Sequence, residues 1–199
     1  AMNEVEEFQT LELSSGNFSE DRDSLTVSTN NLELVGQGEA GAPEGTTIVP
    51  ELRITGDSVE VENISFEEIN PSGDVTVIGD GVTLDNVNAD NTITIEGNQA
   101  SVDDSNATSI DITGSEASVS NSQATSVTIE ADDTSVTGGS AETITIADGS
   151  TGSSISGTQT TEGIDDQSGN ATTSDINPAD DVVVNSDTGE TFDSIQNAV

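Results

Sequence analysis

The chain has 199 residues, 39 of them acidic and only two basic, Arg22 and Arg53, for a formal charge of -37. Two arginines cannot neutralise a run of phosphates or anionic headgroups, which excludes nucleic acid and an anionic membrane surface as partners. No apolar run reaches transmembrane length, so direct membrane insertion of this fragment is excluded, and the absence of lysine, histidine and cysteine removes the usual bases and soft metal ligands.

Residues 11–48 open with short alternating apolar runs, the pattern of strands with one buried face. From Leu52 the alternation becomes a repeat. Its starts fall at Leu52, Val75, Ile93, Ile110, Val127 and Ile144, so the step shortens to 17 residues and then holds. With each start counted as position 0, positions 0 and 2 are apolar throughout, from Leu52 and Ile54 to Ile144 and Ile146. Position 4 is Gly56, Gly79, Gly97 and Gly114, then Ala131 and Asp148, and turn-forming residues follow it. Positions 7 and 9 carry a second apolar pair, such as Val82 and Leu84. Position 11 is Asn63, Asn86, Asp104 and Asn121, residue types that tolerate a left-handed backbone, and then Gly138. Positions 12 and 14 run from Ile64 and Phe66 down to Ser105 and Ala107.

So short a period in strand-type sequence predicts an all-β solenoid, a single-stranded parallel β-helix with three short strands per coil. The Asn/Asp column at Asn63, Asn86, Asp104 and Asn121 is expected to share side-chain hydrogen bonds from coil to coil. Interior residues shrink along the chain, so the late coils are expected to rely more on such ladders than on buried area. The solenoid is expected over residues 1–158. Residues 159–185 read as a polar linker with one extra strand at "DVVV". Residues 186–199 read as a short amphipathic helix, with Phe192, Ile195 and Val199 on one face and Thr191 as its N-cap.

The stretch "LRITGDSVEVENISFEEI" resembles a coil of the pectin lyase-like right-handed parallel β-helix family, with Asn63 in the ladder position. "LELSSGNFSEDRDSLTVSTNNLELVGQGEAGAPEGTTI" is similar to that family's first coils, with Phe18 where an aromatic is expected and Gly36 closing the L-x-L run. The likeness covers residues 9–158 and implies a right-handed coil. In that family an amphipathic helix caps the N-terminal end, whereas the similar segment here, Phe192 to Val199, stands at the other end. Three arrangements fit. The segment begins a following β-helix domain, it caps a neighbouring subunit head-to-tail, or it returns to its own first coil across about 28 extended residues at roughly 3.3 Å each.

Members of the family often cleave acidic polysaccharides with a basic residue and calcium, or with clustered aspartates beside a histidine. Arg53 is the one base on the corresponding face and reads as a surface counter-charge. The adjacent pairs Asp103/Asp104 and Asp132/Asp133 fall at turns, and neighbours on a strand point to opposite faces. No catalytic residue and no metal ligand is assigned. Calcium is the only cofactor in question, and no D-x-D-x-D loop is present to hold it. Positions 1 and 3 form a candidate flat binding face of Arg53, Thr76, Thr94, Glu96, Thr113, Thr128, Glu130 and Thr145. Sequons at Asn17, Asn63, Asn106 and Asn170 are candidate glycosylation sites, and Ala1-Met2 reads as a cloning scar.

Acid spread between apolar positions, with lysine lost, resembles the surfaces of proteins from halophilic archaea and their viruses, where salt screens the self-repulsion. The expected function is a non-enzymatic structural or adhesion module at a cell or virion surface. Its partners would be copies of itself or neighbouring β-helix domains, with a cell-surface glycan or protein receptor as its ligand. The alternative is a polysaccharide-binding or polysaccharide-cleaving domain. The near absence of aromatic platforms, with no Trp or Tyr, weighs against that alternative.

Overall fold

The computed structural model describes residues 9–18, 24–38, 40, 45–48, 51–66, 73–178, 183–184 and 191–192. Among these residues there is no helix, and nearly all strands pair in parallel. The chain winds as a parallel β-helix with three strand columns. Face one begins at Ser24–Val27, Glu51–Ile54, Val75–Val77, Thr92–Ile95 and Ser109–Ile112. It continues through the later parts of Gln123–Ile129, Ser140–Ile146 and Gln159–Asp166. Face two runs from Thr10–Glu12 and Glu33–Val35 through the starts of Glu60–Phe66 and Thr83–Ala89. Ser101–Asp103, Ser118–Ser120, Ser135–Thr137, Ser154–Ser156 and Thr172–Ser174 complete it. Face three runs from Gly16–Phe18 and Thr46–Ile48 to Asn177–Pro178, mostly as parts of the longer strands.

The register is the predicted one. Leu25, Leu52, Val75, Ile93, Ile110, Val127, Ile144 and Ile164 stack as one interior column of face one. On face two, Leu34, Val61, Leu84, Val102, Val119, Val136 and Ile155 do the same. These side chains make one continuous core, buried except for Leu25 and Ile164 at its ends, which are half-buried. The interior of face three changes along the axis. Ile64 and Phe66 give way to Val87 and Ala89, then to the buried hydroxyls of Ser105 and Ser122. Those two serines form their own ladder, accepting from the backbone N–H of Val87 and of Ser105 at 3.0 and 3.2 Å.

Two of the three corners are held by left-handed residues. Between faces two and three these are Asn63, Asn86, Asp104 and Asn121, then Gly138, Gly157 and Asp175. Position 11 thus has the expected conformation. The side-chain ladder there is shorter than expected. Asn86 Nδ2 donates to Asn63 Oδ1 at 2.7 Å, but Asn121 Nδ2 reaches Asp103, 3.3 Å away, instead of Asp104. Alternation explains the change: Asp103 points outward from its strand, in the path of the amide above it.

The corner between faces one and two carries the longer ladder. Left-handed residues recur at Asn31, Ser58, Gly81, Gln99, Glu116, Asp133 and Gly152. Just before five of these seven a side-chain oxygen is placed to accept from the next coil. Asn30 accepts from the Asp57 N–H, Asp57 from Asp80, Asp80 from Asn98 and Asn98 from Ser115, at 2.7–3.1 Å. Asp132 resumes the pattern by accepting from the Thr151 N–H. The glycines of position 4 stack directly beside this ladder.

Two expectations change. Residues 159–178 continue the solenoid: Gln159–Asp166 pairs with Ser140–Ile146, and Thr172–Ser174 with Ser154–Ser156. Their interior positions hold Thr158 and Thr160, both buried, so the coil is real but has no apolar pair to announce it. Asp166 ends the Ile column of face one. Its carboxylate accepts from Ser168 and from the backbone N–H groups of Gly169 and Ala171, which closes the coil end. The expected helix over 186–199 falls mostly outside the described residues. Thr191–Phe192, which are described, form a short strand antiparallel to Val183–Val184, in keeping with their β-branched and aromatic side chains. Ile195 and Val199 lie outside the described residues.

Candidate functional site

Each face presents a different chemistry to solvent. Face one carries the predicted flat array. Arg53, Thr76, Thr94, Asp111, Thr128 and Thr145 stack in register, one above another. Arg53 is exposed and is the one cationic side chain among the described residues. Thr76 donates to Glu51 Oε1 at 3.3 Å. Glu96, Thr113 and Glu130 sit exposed just beyond the strand ends, and Thr113 donates to the Ile95 carbonyl at 3.2 Å. The array is regular, but part of its hydrogen-bonding capacity is spent within the coil.

Face two is acidic at its N-terminal end. Carboxylate oxygens of Glu33, Glu60 and Glu62 lie within 4.8 Å of one another, and those of Asp85, Asp103 and Asp104 do likewise. Register brings them together: Glu33 pairs with Glu60, Glu62 with Asp85, and Asp85 with Asp103. Partial burial pushes the Glu62 carboxyl up, helped by its hydrogen bond to Glu60 and by the charges of Glu60, Asp85 and Glu33. Oxygen-only clusters of this kind suit a hard divalent cation, calcium above all, as the group that would relieve the repulsion. The first triad was not singled out from the sequence, and of the second only Asp103 and Asp104 were. Glu33 and Asp85 lie one coil below their partners, so only the register of face two could have revealed the two groupings.

Face three has one column without charge among the described residues. It reads Asn17, Thr47, the buried Ser65, Asn88, Asn106, Gln123, Ser140 and Gln159. Next to it, at the corner leading to face one, an open trough of about 480 Å³ crosses the rungs from Asn106 to Gln159. Ala107, Ala124 and Ala141 form its floor, because the short coils place alanine where an earlier coil holds Phe66. Glu142 is the one ionisable group in its lining. A register shift between Ala141 and Thr143 against the last long strand lies beside Thr161 at one end.

The sequons fall into two groups. Asn63 is engaged in the corner ladder, whereas Asn17, Asn106 and Asn170 are exposed. Asn170 Nδ2 also donates to the Ser168 carbonyl at 3.0 Å. The acidic pairs noted in the sequence act at corners: Asp103 accepts from Ser120 and Asn121, and Asp132 from Thr151. The ends of the solenoid leave apolar residues partly uncovered. At the N-terminal end these are Leu11, Leu13 and Leu25, with Phe18 39% exposed, and at the other end Ile164, Ala171 and Ile176. No helix among the described residues is long and apolar enough to cross a membrane. The chain matches no protein-family model, no curated protein and no solved structure.

Proposed function

We propose that the chain is a non-enzymatic structural or adhesion module of the exterior of a cell or virion in a high-salt habitat. It would serve as a surface-protein repeat, a piece of spike or fibre, or a filament subunit. One observation carries this reading. Nine strands of face two stack without interruption into a shaft of about 40 Å, and side chains tie coil to coil at two corners. Hydrogen bonds spent on joining neighbouring coils suit a rod that bears or transmits load. Among the described residues, both ends of the rod keep partly exposed apolar residues and strand edges without a further partner strand, which favours neighbouring β-helix units or further copies as axial partners.

Two experiments test the reading. The protein is incubated at high salt with a panel of acidic and neutral polysaccharides; turnover of any one of them refutes the non-enzymatic assignment. Sedimentation velocity at high salt then compares the full chain with a form lacking residues 186–199. Head-to-tail capping by that segment requires the oligomer to be lost, and an oligomer that survives the deletion rules that mode of assembly out.

A further inference from the structure

We infer that the trough on face three is a binding site for an uncharged oligosaccharide lying along the solenoid axis. This rests on the adhesion reading above and specifies what would be held. The first argument is charge. A chain with 39 acidic residues keeps eight successive described rungs of one column of face three, from Asn17 to Gln159, free of them. Solubility at high salt gives no reason to spare one column, whereas a neutral, hydroxyl-rich ligand does, since each buried carboxylate would cost desolvation.

The second argument is unused hydrogen-bonding capacity. Several amides elsewhere in the solenoid are tied into the fold. Asn86 bonds Asn63, Asn91 bonds Asp74, Asn98 bonds Asp80 and Gln99 bonds Glu116. The side chains of Asn106, Gln123, Ser140 and Gln159 bond no described residue, and all four line the trough. Each amide offers both donors and an acceptor, the set that matches sugar hydroxyls. The third argument is shape. The trough volume of about 480 Å³ lies in the range of ligand sites. Its four rungs repeat at about 4.8 Å, close to the rise of an extended pyranose chain, and the alanine floor at Ala124 lets a sugar face approach the backbone.

The test is calorimetric titration of the full chain at high salt. The probes are maltohexaose, cellohexaose and mannohexaose, with hexagalacturonate and a Gly-Ser octapeptide as controls. The site requires that at least one neutral hexasaccharide bind. In Gln123→Ala combined with Gln159→Ala the affinity should fall at least about tenfold, and Ala124→Glu should abolish binding. The double amide variant changes only outward-facing side chains, so it decides the matter if Ala124→Glu misfolds. The proposal is overturned if no neutral hexasaccharide binds, if the octapeptide binds in their place, or if binding is unchanged in the double variant. Cleavage of a bound saccharide would refute the non-enzymatic reading and leave the site standing. Absence of binding would remove the site and leave the structural reading intact.

Discussion

Gly97→Ala should break the stack at one of its tightest points. An added Cβ there would lie 2.0 Å from the Gly79 carbonyl oxygen, 2.7 Å from its carbon and 2.9 Å from the Ile78 oxygen. All three contacts are backbone, so no side chain can swing away. Restoring a tolerable distance needs about one ångström of movement between two coils, and overpacking of that kind costs about 1–3 kcal/mol. The movement also breaks a shared bond. The Val77 carbonyl accepts from both Glu96 and Gly97, at 2.7 and 3.2 Å, and losing the second donor adds about 1 kcal/mol. Ala131, in the same column, shows how the chain accommodates a Cβ. The Ile112 carbonyl there accepts from Glu130 alone among the described residues, whereas the Ile95 carbonyl below it takes both Thr113 and Gly114. A total of about 2–4 kcal/mol corresponds to a melting point lower by roughly 5–15 °C for a domain of this size. Thermal melts followed by circular dichroism at fixed high salt would read it, with Ala131→Gly as the mild control. A Gly97→Ala melt within about 1 °C of the parent would show that the coils slide apart freely and that the close approach carries no energy.

Four further outcomes follow from the same structure. Thr134 is 1% exposed and its hydroxyl has no hydrogen-bond partner, so Thr134→Val should stabilise by about 1 kcal/mol in chemical denaturation; a loss of stability would reveal a hidden partner. The Glu62 carboxyl is raised in the folded state, so its ionisation opposes folding and the penalty is fully present above its folded value. Glu62→Gln should therefore stabilise at neutral pH by about 0.2–1 kcal/mol, with the gain vanishing as acid protonates the parent. The Asp166 carboxyl is held below its usual value, chiefly by Ser168, so its contribution is present at neutral pH and lost as pH falls through that lowered value. Asp166→Asn should cost about 1 kcal/mol at neutral pH and nothing in strong acid, as read from pH-dependent melts. As salt is lowered, amide exchange should accelerate first in residues 110–150, where the interior is smallest; earlier exchange in 52–90 would contradict the taper.

The coil was legible because its apolar pairs repeat at a fixed step. Ile93, Ile110, Val127 and Ile144 line up by eye, and their strands pair in that register. The last coil was hidden because Thr158 and Thr160 fill its interior, and threonine is as common in a linker as in a strand. The corner ladder from Asn30 to Ser115 was written in the sequence as Gly-Asp and Gly-Asn pairs, but these read as turns, and only coil geometry turns a turn residue into an acceptor for its neighbour. The trough was missed for a similar reason. Its signal is an absence of charge at position 13, from Ser65 to Ser140, in strands whose inward residues draw the eye. The stacking of Arg53, Thr76, Thr94, Thr128 and Thr145 on face one follows from alternation on strands of known register.

The coils that begin at Ile93, Ile110 and Val127 are near-interchangeable parts: the same length of 17 residues and the same strand register above and below. An in-frame duplication or loss of one whole coil leaves every surviving contact with an equivalent neighbour, whereas an insertion of any other length inside a strand rotates the rest of the shaft out of register. Reach is therefore a quantity that recombination between coils can adjust in increments of about 4.8 Å, without inventing a new packing problem at each step.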